Sequence, residues 1–409
     1  MVALFLGGHT GPPLQDNRVI MPEQARKHSI SIVTYGGWFN TFQRPHHLAR
    51  YLTNRFNTNV VNNIVGVPFR GYGYMTEQKH LVDKISNIYI LKEGDRFPLI
   101  KSINNILIRL QSYFKYRMRE FRNSEIVYTW HIEDIHYLKH CKGKFLIYDA
   151  MDDWAAFSDK IDQQLIDNEN EIVARADMVL AVSRKLYEKH SLLNKNTYLV
   201  PNGVDTNFFG KALTFRKEEG DFLYGFKDRP IAGYVGGIHD WVDVDLIVET
   251  AKLRKDTIFV LIGPALRSLK PKLEGVENIV YLGPKPYSEL IRYVSYFDVG
   301  IIPFKLNLLN ESTNPIKLYE YLGAGLPVVS TGMREVMPYA ADGIVAIADD
   351  PATFSAKIAD AIALSDNPLL IKERLKIAEQ NSWESRAEMV LSLIETKFGS
   401  GFADAGRGA

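Results

Sequence analysis

Short, almost wholly apolar runs recur along this chain with helical patterns between them, and that alternation limits the fold more than any other feature. One series lies at 29–35, 126–130, 145–148, 178–182 and 198–200; a second lies at 231–235, 258–262, 279–282, 299–302 and 328–330. A strand that is apolar along its whole length must be covered on both faces, and a parallel sheet flanked by helices provides that cover. Two series therefore predict two doubly wound α/β domains. The length of 409 residues also exceeds what one core usually serves. Pro201-Asn202-Gly203-Val204-Asp205 is a turn signal, and the polar stretch 215–229 reads as a linker. The expected domains are 28–200 and 201–378. Doubly wound sheets bind ligands at the carboxyl ends of their strands, so the expected site is a cleft where the two face each other.

Charge and cysteine content narrow the function. The formal charge is +1, which supplies no basic field for nucleic acid. Cys141 is the one cysteine, so an intrachain disulfide and a cysteine-rich metal site are excluded and a reducing compartment is expected. No stretch approaches the roughly 18 apolar residues of a spanning helix, and the opening Met1–Leu6 run lacks the basic leader of a signal peptide. The expected location is cytoplasmic, in solution or peripheral on the inner face of the membrane. Residues 101–122 bear on that choice. Ile103, Ile106, Leu107, Leu110, Phe114, Met118 and Phe121 share a helical face, and Lys101, Arg109, Lys115, Arg117, Arg119 and Arg122 add charge that Glu120 alone opposes. Such a helix either packs in a core with a solvated basic face or lies on an anionic membrane.

The stretch 314–330 carries the most chemistry. A loop ends at Pro315, a helix runs to about Gly323, Gly325 caps it, and a buried strand follows. The start of that helix offers free amides and a positive dipole end to a diphosphate. Lys317 stands in the first turn, where a cation opposes the dipole unless an anion is near. Glu320, one turn further in, can accept two hydroxyl hydrogen bonds of a ribose. The plain alternative is a capped surface helix with a solvated glutamate.

In the first half, Gly36-Gly37-Trp38 and Gln43-Arg44-Pro45-His46-His47 follow the first strand. Two glycines let backbone approach a ligand, and Arg44 and His46 stand near the carboxyl end of the strand. The alternative is a simple turn before a solvated helix. His131 follows the run ending at Trp130, as a site histidine or a hydrogen-bonded structural one. Asp149, Asp152 and Asp153 follow the run 145–148. Neighbouring carboxylates raise one another's pKa, which suits a general base, whereas acids at a helix start also serve as caps. Asp243-Val244-Asp245 has the letters of a metal pair but sits at a helix start, and no metal or other cofactor is expected.

The stretch 314–330 resembles the carboxyl-terminal signature of glycosyltransferase family 4. Ala176 to Ser183, followed by Val200 to Asp205 and Phe208, is similar to that family's mid-chain signature. Gly263, Gly283 and the 297–303 run fall where the family places them. The resemblance covers about 170–390 and is weaker over 29–169. It implies a GT-B fold, two Rossmann-like domains facing across a cleft, with a last helix over 379–398 crossing back to the first. It implies that Glu320 holds the ribose hydroxyls, that Asn314 to Lys317, including Ile316, bind the phosphates and sugar, and that Gly283 to Pro286, including Lys285, read the base. Gly236 and Gly237 match the first loop of the donor domain. In the acceptor half, Gly36, Gly37, Gln43, Arg44 and His46 are the expected cleft residues, and His131, Asp152 and Asp153 the expected catalytic ones.

Three positions depart from the family pattern. Ser312 stands where a second glutamate is common, with Glu311 one residue off. Gly237 stands near an arginine position, and Val242-Asp243 near a lysine position. Cationic help for the phosphates is then expected from Lys317 or Arg44. The resulting expectation is transfer of a sugar from a nucleotide diphosphate sugar, with UDP the expected nucleotide, to a glycan or lipid-linked glycan acceptor. The alternatives are a GT-B nucleotide-sugar epimerase and a non-catalytic nucleotide-sugar or glycan-binding protein.

Overall fold

The computed structural model describes residues 28–35, 44–65, 82, 84–90, 110, 117, 119–130, 132, 135–156, 163–215 and 217–398. These divide into two compact units, 28–200 with 387–398, and 201–386. The second therefore runs eight residues beyond the expected limit of 378.

The first unit holds a parallel sheet of order β3-β2-β1-β4-β5-β6-β7 among the described residues. Its strands are β1 (His28–Tyr35), β2 (Phe56–Val65), β3 (Lys84–Ile90), β4 (Ile126–Thr129), β5 (Phe145–Ala150), β6 (Met178–Ala181) and β7 (Thr197–Leu199). β1 is the hinge of the order: Ile30 pairs with Thr58 on one side and Ile126 on the other. β4 and β6 are buried along their whole length. Helices α1 (Arg44–Leu52), α2 (Gln163–Arg175) and α3 (Arg184–Ser191) belong to this unit. β2 and β3 are absent from the sequence reading. β2 carries Asn57, Asn59, Asn62 and Asn63, poor strand formers, and it is a strand because β1 and β3 pair with it on both sides.

The second unit has strand order β10-β9-β8-β11-β12-β13, again parallel. Its strands are β8 (Ile231–Val235), β9 (Ile258–Ile262), β10 (Ile279–Gly283), β11 (Val299–Ile302), β12 (Val328–Ser330) and β13 (Val345–Ile347), the last not among the runs read from the sequence. Helices α4 (Val244–Leu253), α5 (Ile316–Gly323), α6 (Pro351–Ala363) and α7 (Pro368–Gln380) cover it, and α8 (Trp383–Phe398) follows. The stretch 215–229 is not a free linker. Leu223 is buried in the core, and Asp221 accepts from Tyr296 Oη at 2.8 Å and pairs with Arg292. Phe208 stacks on Tyr287 with centroids 4.4 Å apart, so the chain joins the second core from about Val204 onward.

α8 leaves the second unit at Arg386. Ala387, Val390 and Ile394 are buried. Phe398 meets His28 and Phe145 edge-on, each at 5.6 Å, and Lys397 Nζ donates to Asn196 Oδ1 at 2.9 Å.

Candidate functional site

In the second unit the strand order reverses between β8 and β11, and a crevice for ligand is expected beyond the carboxyl ends of those strands. Glycines line that edge. The Gly236 amide donates to Ile262 O at 2.8 Å, and the Gly263 amide to Gly283 O at 2.9 Å. A Cβ on Gly263 would stand 1.9 Å from Gly236 O, and its φ of +143° excludes most side chains as well. Gly283 has φ +67° and open space where a Cβ would be. Gly236 and Gly237 are buried, and Tyr234 Oη donates to Gly237 O at 3.0 Å, which fixes the loop after β8. The rest of that loop is tied to the segment after β11. Asp243 N–H donates to Pro303 O, Lys305 N–H to Trp241 O, and Asn310 Nδ2 to Trp241 O.

α5 stands at the same edge because its Tyr321 Oη accepts the Val235 amide, the last of β8, at 2.8 Å. Its N-cap is Pro315, which supplies no side-chain cap, so the Ile316 and Lys317 amides have no acceptor among the described residues. A helix start of this kind binds anions through its free amides and dipole. Lys317 Nζ donates to Glu320 Oε2 at 2.6 Å, with Glu320 7% exposed. The anion that the first-turn lysine calls for is thus supplied by its own helix. Asn314 is buried and fully engaged: Oδ1 accepts the Asn202 amide at 3.0 Å, Nδ2 donates to Tyr319 Oη at 3.0 Å, and its carbonyl accepts Asn202 Nδ2 at 2.8 Å. These bonds hold the loop in shape. Lys285 Nζ lies 5.5 Å from the Tyr293 ring centroid, beside the Gly283 turn.

The first unit separates its three neighbouring acids by environment. Asp149 ends up inside β5, fully buried. It accepts Arg44 Nε at 2.8 and 3.1 Å and is also bound by Tyr128 Oη. Burial alone would lower the Arg44 guanidinium, but the Asp149 charge outweighs it and the pKa is raised. Arg44 is 2% exposed and His46 likewise, both on α1. Arg44 was expected to help neutralise donor phosphates; its Nε is bound to Asp149, a buried carboxylate that would be costly without a counter-charge. Asp153 Oδ1 accepts Lys189 Nζ at 2.9 Å, and the same ammonium donates to Glu169 Oε2 at 2.8 Å. Glu169 Oε1 accepts Tyr148 Oη at 3.0 Å. Asp152 makes no hydrogen bond or ion pair among the described residues. Burial, then the charges of Asp149 and Asp153, push its pKa up to about 7. A carboxyl in that condition exchanges a proton near neutrality.

Gly36, Gly37, Gln43 and His131 lie outside the described residues, as does most of 101–122. Of that segment, Phe121 is buried while Leu110, Arg117 and Arg122 are exposed. Asp243 caps α4 by accepting the Leu246 amide, and Asp245 is exposed and paired with Lys272. No group of three or more metal-ligating side chains occurs among the described residues. Asn202, Tyr321 and Lys189 are the positioning residues that the sequence reading missed. Asn202 stood in a recognised turn, but its partner Asn314 is 112 positions away.

Against known proteins, the second unit matches the sequence profile of the family described as Glycosyl transferases group 1 over residues 229–363. A Bacillus subtilis (strain 168) protein, named as a candidate teichuronic acid biosynthesis glycosyltransferase, TuaH, is 26% identical over 257 residues, 58% of this chain. The chain spans 64% of the length of that relative. Among solved structures, Anabaena Alr3699/HepE in complex with UDP-glucose superposes with a TM-score of 0.65 at 13% identity, over 90% of this chain and 99% of that one. Sucrose-phosphate synthase from Thermosynechococcus elongatus superposes with a TM-score of 0.66 at 14% identity, over 91% and 99%. The fold is GT-B, built from two Rossmann-like units.

Proposed function

We propose that this chain is a glycosyltransferase that moves a sugar from a UDP-sugar to a hydroxyl of a glycan or lipid-linked glycan in polysaccharide biosynthesis. The observation that carries the proposal is the uncapped start of α5 at the glycine-lined edge, with Glu320 one turn inside it. The profile match over 229–363, the named relative and a structural neighbour holding UDP-glucose support it.

In this reading the diphosphate takes the Ile316 and Lys317 amides. Glu320 exchanges its bond with Lys317 for the two ribose hydroxyls, and the freed ammonium turns to the phosphates. One ion pair is replaced by two charge-matched contacts, so no buried charge is stranded. The Gly283–Lys285 turn lies against the base, and the loop at Gly236 and Gly237 admits the donor closely. Charge on the leaving diphosphate is met by the helix dipole and Lys317, without a metal. On the first unit we assign to Asp152 the removal of the acceptor hydroxyl's proton, because Asp149 and Asp153 are already bound by Arg44 and Lys189.

A thermal-shift screen of UDP, GDP, TDP and their sugars tests the donor, since a ligand bound to the folded state raises stability by mass action. UDP and a UDP-sugar are expected to give the largest shift, and incubation with a glycan acceptor to release UDP. Stabilisation by GDP or TDP alone contradicts the choice of nucleotide. UDP-sugar binding without release of UDP under any acceptor favours the binding-only alternative, and an isomerised nucleotide-sugar favours the epimerase.

A further inference from the structure

In the first sheet all strands run parallel, so the segments that lead into β4, β5, β6 and β7 meet at one edge, opposite the edge that carries Asp152. Across four neighbouring strands that edge spans about 14 Å. It is basic. Arg122, Lys139, Lys142 and Lys195 are exposed and have no carboxylate partner among the described residues. Lys144 joins them, donating to Arg122 O at 2.8 Å, and Lys397 stands beside Asn196. Three carboxylates beside them are engaged: Glu125 pairs with His28 at 2.9 Å, Glu171 with Arg175 at 2.6 Å, and Asp177 accepts the Leu146 amide at 2.8 Å.

Two large apolar side chains stand among these cations. Leu192 is 87% exposed and Leu193 is 51% exposed. Their turn is not a frayed helix end. The Leu193 and Asn194 amides both donate to His190 O, Asn194 Nδ2 donates to Val173 O and Ala176 O at 2.7 Å each, and Thr197 Oγ1 donates to Asn194 O at 2.6 Å. The backbone is pinned and the leucines are held outward. Two leucines cover far less than the roughly 800 Å² per partner of a stable protein interface. A purely polyanionic ligand would have no use for them. Leucines flanked by unpaired lysines and arginine match a bilayer with anionic headgroups, where apolar insertion and charge attraction add.

We infer that this edge is a docking surface for an anionic lipid bilayer, with Leu192 and Leu193 entering the acyl boundary and Arg122, Lys139, Lys142 and Lys195 meeting the headgroups. The carboxyl end of the basic stretch 101–122 then contributes through Arg122.

The test is flotation of the full chain with phosphatidylcholine vesicles, with and without phosphatidylglycerol, at low and high salt. The wild type is expected to float with the anionic vesicles and to do so less at high salt. The pair Leu192→Ser, Leu193→Ser should lower binding by about tenfold or more. The pair Lys142→Glu, Lys195→Glu should lower it about fivefold or more per charge and flatten the salt dependence. All four side chains are exposed, so unchanged melting temperatures and unchanged UDP binding confirm that the variants are folded, and the result stands apart from the donor assignment. Failure of the wild type to float overturns the proposal, as does equal flotation of the leucine pair. Full displacement by dextran sulfate with no effect of the leucines would assign the edge to a soluble polyanion. A concentration-dependent dimer lost in the leucine pair, with flotation unchanged, would assign it to self-association.

Discussion

Asp149, Asp152 and Asp153 lie within five positions of one another and reach three different states. That they gather after one strand was legible in the sequence. Their partners were not, because Arg44 is 105 positions from Asp149 and Lys189 is 36 from Asp153, and no local pattern encodes such pairings. The same distance hid the Arg44–Asp149 pair, since Arg44 reads as a loop cation and here bonds a buried carboxylate. A pH prediction follows for Asp152. Its folded pKa of about 7 lies above the ordinary carboxylate range, so between the two values the folded chain holds a proton that the unfolded chain has released. Its contribution to stability therefore falls as pH rises through that window and stays low above it. Asp152→Asn should melt above wild type at pH near 8, and the difference should vanish near pH 4. The same variant should lose turnover while keeping UDP affinity, since a base acts in the chemical step. A melting difference that does not change with pH, or full turnover, contradicts the assignment.

At the scale of elements, strands with unbroken apolar runs were readable and the others were not. β2 with its asparagines and the three-residue β13 owe their conformation to neighbours that pair with them. The glycines of the signature stretches now have physical reasons. A Cβ on Gly203 would meet Asn381 O at 2.9 Å, and one on Gly263 would overlap Gly236 O. Gly263→Ala should cost roughly 2–4 kcal/mol of stability and weaken UDP binding, because the obstacle is backbone and cannot swing away. Gly275→Ala, with only Pro271 O at 4.0 Å and an ordinary negative φ, is the control and should be near neutral. Denaturant unfolding and calorimetry on the two variants decide it; equal stability contradicts the close-approach account. Arg374 gives a second case. Fully buried in α7, it donates to the carbonyls of Gly325, Gly343, Leu364 and Ser365. Burial pushes its pKa down to about 10. Only a planar fork of donors fits four carbonyls, so Arg374→Lys should destabilise by about 2–3 kcal/mol rather than behave conservatively, and a variant as stable as wild type would refute this.

At the scale of the whole molecule, two doubly wound units repeat one strand pattern, and α8 is divided between them after Arg386. Ending the chain at Arg386 removes the buried Val390 and Ile394 and the contacts of Phe398 with His28 and Phe145. Scanning calorimetry should then show a transition moved to lower temperature while UDP affinity stays within about twofold; loss of UDP binding would mean that the proposed nucleotide site in the second unit depends on that segment. The doubly wound pattern of both units was legible because strand apolarity and turn residues are local signals. At the proposed donor site, the helix start and its residues were legible but not their partners, since the Lys317–Glu320 pair and the Asn314 amide bond depend on packing. The claim on which the account turns is that Glu320 holds the ribose of the donor. Titration calorimetry of UDP and of 2′,3′-dideoxy-UDP against wild type and Glu320→Gln tests it while leaving the shape of the helix start unchanged. The account predicts that the substitution weakens UDP by about tenfold or more and leaves the dideoxy nucleotide within about twofold, because charge-assisted bonds to the two hydroxyls are what is lost. Equal UDP affinity in the variant, or an equal loss for both nucleotides, would contradict it.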